Sequence, residues 1–199
     1  MPKNLQLTFD DGPEPVASAL ESILTELDRR QVKAAFFNLG IEVKSSPSAT
    51  KKISNAGHVL GNHSWDHLMP RTSGFTDDQI KKQFSDTHSE VVAATSVVMS
   101  NWRAPRGEEI SRLTGLLTGT GRLYSLSHCD WHADSKDSQD AATATDMTSA
   151  IRNDIARQST RTNFRLLFHV KPSTANSLKA VLDALVSDGH SLVDFSQSS

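Results

Sequence analysis

The chain has 199 residues, with 21 Lys and Arg against 23 Asp and Glu and a formal net charge of −2. This near balance argues against a nucleic-acid-binding surface and against a patch for anionic membranes. The least polar stretch, residues 91–99, is far short of the roughly 20 residues that cross a bilayer, and the length predicts one domain over residues 1–199.

Seven short apolar runs alternate along the chain with segments of helical periodicity. In chain order we predict strands at 5–9, 34–39, 58–60, 101–104, 122–126, 165–169 and 191–195, and helices at 16–30, 47–56, 77–94, 108–118, 146–158 and 174–187. This alternation is typical of an α/β fold with a mainly parallel sheet. The polar, poorly patterned stretch 132–145 predicts a surface loop.

The single cysteine, Cys129, excludes an internal disulfide and a zinc site built from four cysteines. Any metal ion would therefore be held by histidines and carboxylates. The N-terminal residues lead directly into an apolar segment, without the apolar core of a signal peptide. We expect either a cytoplasmic protein or one whose leader has been removed, in which case secretion or the cell envelope is favoured.

Reactive side chains stand where five of the predicted strands end. The segments are TFDDGP (8–13), GNHSWDH (61–67), RAPRG (103–107), HCDW (128–131) and LLFH (166–169). The loops at the carboxyl ends of parallel strands open on one face of a fold. We therefore expect these five segments to form one candidate site.

His63 and His67 are four residues apart. On a helical turn they would share a face, with Cβ atoms roughly 5–6 Å apart. A carboxylate from another strand would complete an open three-ligand zinc site with a place for water. Taken alone, the spacing is equally consistent with two surface histidines on a helix.

Asp10 and Asp11 are adjacent at a strand end, so their side chains point in different directions and are suited to different tasks. One carboxylate could bind a metal ion while the other handles protons. The alternative is an Asp-Gly-Pro turn in which both carboxylates cap backbone groups, and the two residues alone favour that turn.

A competing cluster is formed by His128, Cys129 and His132. Strand alternation places Cys129 and Asp130 on opposite faces, so the thiol would not face the same side as both histidines. A buried cysteine with a packing role is the favoured interpretation.

Read in order, TFDDGP, HSWDH, RAPRG, DW and LLFH resemble the five successive motifs of the polysaccharide deacetylase family. This family is also called the NodB-homology domain or carbohydrate esterase family four. The resemblance runs from Leu5 to about Phe195, and five ordered motifs are far more specific than any one of them. It implies a distorted, incomplete (β/α)7 barrel, in agreement with the seven predicted strands.

The resemblance also implies a role for each motif residue. Asp10 would be the general base, oriented by Arg103, and His169 would be the general acid, held by Asp130. One divalent ion, zinc or alternatively cobalt, would be held by Asp11, His63 and His67. The remaining implied site residues concern the substrate: the backbone N–H of Arg106 would help to hold the oxyanion, and Trp131 and Leu167 would line the pocket for the acetyl methyl group.

The sequence departs from the family pattern at three positions. Arg106 stands where an aromatic residue is usual, but the expected contact uses its backbone, so activity need not be lost. Val170 follows His169 where many relatives have Asp, which we interpret as a packing difference. Ser127 stands where Asp is frequent and leaves Asp130 as the only carboxylate of its motif.

The resemblance implies a metal-dependent N-deacetylase that releases acetate from N-acetylglucosamine units of a glycan such as a chitin oligomer or peptidoglycan. An O-acetyl xylan esterase is the close alternative, because the same site hydrolyses esters. A catalytically silent, glycan-binding relative is a third, but such a protein would be expected to have lost a ligand or the base. We expect an acetylated glycan as partner, no nucleic acid or membrane, and a monomer.

Overall fold

The computed structural model describes residues 1–13, 17–67, 74–118, 126–139 and 142–196. The chain forms two compact units. The first comprises Met1–Asp10, Val16–Ala35 and Trp131–Ser199, and the second comprises Asp11–Pro15 and Phe36–Asp130. Among the described residues, no helix combines the length and the apolar character needed to span a membrane.

The described residues contain eight strands and seven α-helices. The strands are β1 (Asn4–Gly12), β2 (Ala35–Asn38), β3 (Val59–Asn62), β4 (Asn101–Trp102), β5 (Ser127–His128), β6 (Ala133–Asp134), β7 (Asn163–His169) and β8 (Ser191–Leu192). The helices are α1 (Ala17–Arg29), α2 (Gly40–Ser45), α3 (Pro47–Asn55), α4 (Asp77–Thr95), α5 (Ile110–Thr118), α6 (Ala144–Arg157) and α7 (Pro172–Ser187). A single 3₁₀ turn covers Pro105–Gly107.

The first unit is built on β1, whose residues from Leu5 to Asp10 are all buried, as expected of a parallel strand covered on both faces. β7 pairs with it in parallel, from Asn4 opposite Asn163 to Asp10 opposite His169. β6 pairs in parallel with β7, and β8 pairs in parallel with the first residues of β1. This register places Asp10 and His169 side by side at the strand ends.

The helices of the first unit cover this core with apolar faces of helical spacing. α1 buries Leu20, Ile23 and Leu27, and α7 buries Leu178 and Leu182. The sequence stripes that predicted both helices are therefore their packing faces.

In the second unit, β3 pairs in parallel with β4 through Asn62 and Trp102, and β4 pairs in parallel with β5. α4 begins with a capping box in which Thr76 and Gln79 each bond the other's backbone N–H. Its buried Phe84 lies perpendicular to the ring of Trp102, with centroids 5.9 Å apart. This packing fixes α4 beside the end of β3, where the histidine motif begins.

The six predicted helices are confirmed, with described ends shifted by two residues or fewer. Two elements were missed, α2 and β6, because six and two residues are too short to display a period. The prediction of a surface loop over 132–145 is wrong for β6 and also for Ser135 and Asp137, which are fully buried. The fifth predicted strand, 122–126, falls largely on residues outside the described part, and β5 begins just after it.

Candidate functional site

The second unit brings Asp11, His63 and His67 together. Nε2 of His63 lies 3.6 Å from Oδ1 of Asp11, and Nε2 of His67 lies 3.8 Å from the same oxygen. One ligand atom from each residue lies within 4.8 Å of the others. Ligands about 2.0–2.2 Å from a tetrahedral ion lie about 3.3–3.6 Å from one another, so the three atoms are close to the spacing of a zinc site.

The histidines lie on a loop, and the helical turn considered for them is wrong. Ser64 and His67 have positive φ angles of 70° and 61°. Side chains accept from the backbone N–H groups of this loop: Oδ1 of Asn62 accepts from Ser64 at 3.0 Å, and Oε1 of Gln83 accepts from Trp65 at 2.8 Å. The rings nevertheless converge, with centroids 5.1 Å apart.

The ring of His63 is oriented by the backbone. Its Nδ1 lies 3.0 Å from the carbonyl oxygen of Arg103, which can only accept, so Nδ1 carries the proton and Nε2 presents its lone pair toward Asp11. His63 is only 1% exposed, and this burial lowers its pKa to about 3. The imidazole is therefore neutral at physiological pH, the form that binds metal ions.

The donor set fits a divalent ion. Oδ1 of Asp11 is buried and has no hydrogen-bond partner among the described residues, although a buried carboxylate oxygen is costly when left without a donor or cation. Two imidazoles and one carboxylate are the ligands of an open catalytic zinc site. In the described part of the chain, this is the only group of three or more His, Cys, Asp or Glu residues within such a distance.

A second cluster lies in the first unit, at the end of β7. Nδ1 of His169 is 2.7 Å from Oδ1 of the fully buried Asp137. Oδ2 of Asp137 accepts from the backbone N–H of His169 at 2.7 Å and from the hydroxyl of Thr174 at 2.5 Å. Burial alone would raise the pKa of Asp137, but the hydrogen bonds from His169 and Thr174, with the charge of His169, outweigh burial and hold the pKa below its usual value. Asp137 is therefore an ionised partner for the histidine.

This carboxylate is a partner of His169 that the sequence analysis, which gave the task of holding His169 to Asp130, did not name. The partner of Nδ1 is Asp137, because the segment after β6 docks on β7, where the N–H of Ser135 donates to the carbonyl of Leu167 at 3.1 Å. No spacing marks Asp137 in a stretch that also carries Asp134 and Lys136. The sequence signal was therefore too weak to find it.

The other predicted site residues are placed as follows. Arg103 is fully buried, with its Nε donating to the carbonyl of Cys129 at 3.0 Å and its guanidinium 4.1 Å from the ring centroid of Phe37. Arg106 is exposed and has a positive φ of 57°. Leu167 is buried on β7, and Trp131 and Asp130 are half-buried. The roles given to these residues, including the pairing of Arg103 with Asp10, stay predictions.

In the competing cluster of His128, Cys129 and His132, two of the residues have structural roles. Cys129 is 1% exposed, in keeping with the packing role predicted for it. Nδ1 of His132 accepts from the backbone N–H of Arg165 at 3.0 Å, so this ring nitrogen serves the pairing of β6 with β7.

Comparison with known proteins bears on these clusters. A sequence model of the polysaccharide deacetylases matches residues 1–121. The chain belongs to the polysaccharide deacetylase family. This confirms the resemblance drawn from the five motifs.

Two relatives in the family align over nearly the whole chain. The peptidoglycan-N-acetylglucosamine deacetylase of Listeria monocytogenes is 30% identical over 193 residues, which are 96% of this chain and 38% of the relative. The chitooligosaccharide deacetylase of Rhizobium leguminosarum bv. trifolii is 29% identical over 198 residues, or 96% of this chain and 89% of the relative. The chain thus spans well under two thirds of the first relative's length.

Solved structures of the family have the same fold. An acetyl xylan esterase from Clostridium thermocellum, in complex with a cobalt ion, is 26% identical with a TM-score of 0.78, covering 96% of this chain and 88% of that one. A pseudoenzyme of carbohydrate esterase family 4 from Bacillus anthracis is 23% identical with a TM-score of 0.81, covering 98% of this chain and 64% of that one. These matches confirm the predicted (β/α) barrel class of the deacetylases.

Proposed function

We propose that residues 1–199 form one catalytic domain, a metal-dependent N-deacetylase that releases acetate from N-acetylglucosamine units of chitin oligomers or peptidoglycan. The observation that carries the proposal is the convergence of two histidine Nε2 atoms on Oδ1 of Asp11, which accepts no hydrogen bond from the residues that the structure describes. The names of the two relatives, which act on peptidoglycan and on chitooligosaccharides, support the substrate class.

The ligands of the ion would be Asp11, His63 and His67. A divalent ion held there, zinc or cobalt, would act as a Lewis acid on the acetyl carbonyl oxygen. Three protein ligands are the number found in catalytic zinc sites, which keep one position for water or substrate.

Proton transfer falls to the two neighbours in register, Asp10 and His169. Asp10 is 2% exposed and is not one of the three ligands, so its carboxylate would accept a proton from the attacking water. His169, whose Nδ1 is engaged by Asp137, would donate a proton from Nε2 to the leaving nitrogen. An amine leaves poorly unless it is protonated, so this donation is essential for an amide substrate.

The remaining roles come from the family pattern. Arg103 would orient Asp10, and the backbone N–H of Arg106 would stabilise the oxyanion. Trp131 and Leu167 would line the pocket for the acetyl methyl group. Because Arg106 is exposed, its cationic side chain would be presented to the substrate and would favour glycans that carry negative charge.

The test is release of acetate from chitin oligomers and from peptidoglycan. Asp10→Asn should abolish release while leaving the metal content intact, because Asp10 is not a ligand. Asp11→Asn, the matched change one residue later, should abolish acetate release and also lose the bound metal. If Asp10→Asn also loses the metal, the roles of the two aspartates are wrongly divided.

An O-acetyl xylan esterase is the second candidate, favoured by the 26% identity to the Clostridium thermocellum enzyme. Acetylated xylan should be assayed beside the two N-acetylated substrates. Acetate release from xylan alone would favour this candidate. A silent, glycan-binding relative is the third, and the complete set of Asp10, Asp11, His63, His67 and His169 supports activity instead.

A further inference from the structure

Asp137 is held by two elements of the first unit. Its Oδ1 faces Nδ1 of His169, and its Oδ2 accepts from the backbone of β7 and from Oγ1 of Thr174 at 2.5 Å. Thr174 is the third residue of α7 and is fully buried. The carboxylate therefore bridges the histidine ring and the first turn of a helix.

The hydroxyl of Thr174 differs from other threonine hydroxyls on helices of this protein. Oγ1 of Thr25, Thr87, Thr95 and Thr148 donates to the carbonyl oxygen four residues earlier, at distances of 2.7 to 2.9 Å. That bond is the ordinary one for threonine inside a helix. Thr174 instead lies in the first turn of α7, where its hydroxyl donates out of the helix to Asp137.

This hydrogen bond constrains how the carboxylate is turned. A carboxylate rotates about the bond to Cβ, and its terminal torsion has only broad preferences. Two donors hold Oδ2 and so keep Oδ1 directed toward Nδ1: the backbone N–H of His169 and the hydroxyl of Thr174, which is the side-chain donor of the two. Bonds to a charged acceptor are stronger than neutral ones.

We propose that Thr174 is a positioning residue for proton transfer, holding Asp137 so that His169 presents Nε2 to the leaving nitrogen. The inference rests on the proposed role of His169 as general acid. The competing explanation is purely structural: Thr174, together with Ser173, whose Oγ lies 3.5 Å from the carbonyl oxygen of Asp137, would only fasten the loop to α7.

The two explanations predict different effects of a substitution at Thr174 on the hydrolysis rates of two substrates. Hydrolysis of an N-acetylated chitin oligomer needs a proton on the leaving nitrogen, whereas an acetate ester of an acidic phenol does not. Thr174→Ala should lower kcat on the oligomer roughly 10-fold or more, the effect of losing a bond to a charged group, and should change the ester rate by less than about 2-fold. Thr174→Ser restores the hydroxyl and should restore the oligomer rate. Alanine is preferred to valine because a valine methyl would be forced against Oδ2.

Thr148→Ala is the matched control. Thr148 lies in the same unit and is 5% exposed, and its hydroxyl donates to the carbonyl oxygen of Ala144 within its own helix. It should leave both rates unchanged. Equal losses on the two substrates in Thr174→Ala, no loss on either, or failure of serine to restore the rate would each overturn the proposal. His169→Ala is measured in parallel: if it affects both substrates equally, the role of His169 in the proposed function fails, whatever Thr174 does.

Discussion

Asp137 Oδ1 lies 2.7 Å from His169 Nδ1, with the carboxylate fully buried and the imidazole still partly exposed. The contact fixes the tautomer of the ring, because a carboxylate can only accept and Nδ1 must therefore carry a proton. It also keeps a negative charge beside any imidazolium that forms. A histidine so placed is suited to deliver a proton from Nε2.

Replacement of this carboxylate tests that arrangement. Asp137→Asn should lower the rate of N-acetyl hydrolysis by roughly 100-fold or more, because an amide holds the ring less firmly and does not stabilise its cationic form. Asp134→Asn is the control, since Asp134 lies on the same segment and pairs with Lys136 at 2.7 Å. Steady-state kinetics on a chitin oligomer would measure both. Similar losses in the two variants would mean that only the segment's folding matters.

The pKa of Asp137 predicts a pH dependence of stability. The folded state holds this pKa below the value of the unfolded chain, about 3.9, so the unfolded chain binds the proton first as pH falls. The stabilisation from Asp137 should be fully present above about pH 5 and should be lost as pH falls through 3.9 toward the folded pKa. Chemical denaturation of the wild type and of Asp137→Asn from pH 3 to 7 measures the difference. A constant difference across this range would refute the assignment.

Gln83 should control how tightly residues 63–67, the histidine loop, bind a divalent ion. Oε1 of Gln83 accepts from Trp65 at 2.8 Å and from Asp66 at 3.3 Å, so it holds the loop in shape between His63 and His67. Gln83→Met removes the acceptor and should weaken zinc binding roughly 10-fold or more, as is typical when a residue supporting metal ligands is lost. Gln83→Glu keeps an acceptor oxygen and should bind zinc more tightly than the methionine variant. Competition with a coloured chelator gives both affinities, and unchanged binding in Gln83→Met would contradict the role.

The sequence predicted the parts of the site that belong to strand ends. Asp11 lies at the carboxyl end of β1 and His63 directly follows β3, and functional side chains gather at the carboxyl ends of parallel strands. Asp137 could not be predicted as a partner of His169, because it is brought there by contacts between a two-residue strand and β7, and the two residues are 32 positions apart in the chain. The shape of the histidine loop could not be predicted either. It depends on Gln83, which lies in α4, outside the loop, and belongs to none of the five motifs.

The measurement that most directly tests the account is acetate release from a chitin oligomer by one preparation, before chelation, after exhaustive chelation and after return of zinc. Metal analysis should give about one equivalent of divalent ion per chain, lost with the activity and restored with it. His67→Ala, a change at the more exposed ligand, should bind no ion and release no acetate, whereas His190→Ala should resemble the wild type. Full acetate release by the chelated protein, or by His67→Ala, would contradict the account.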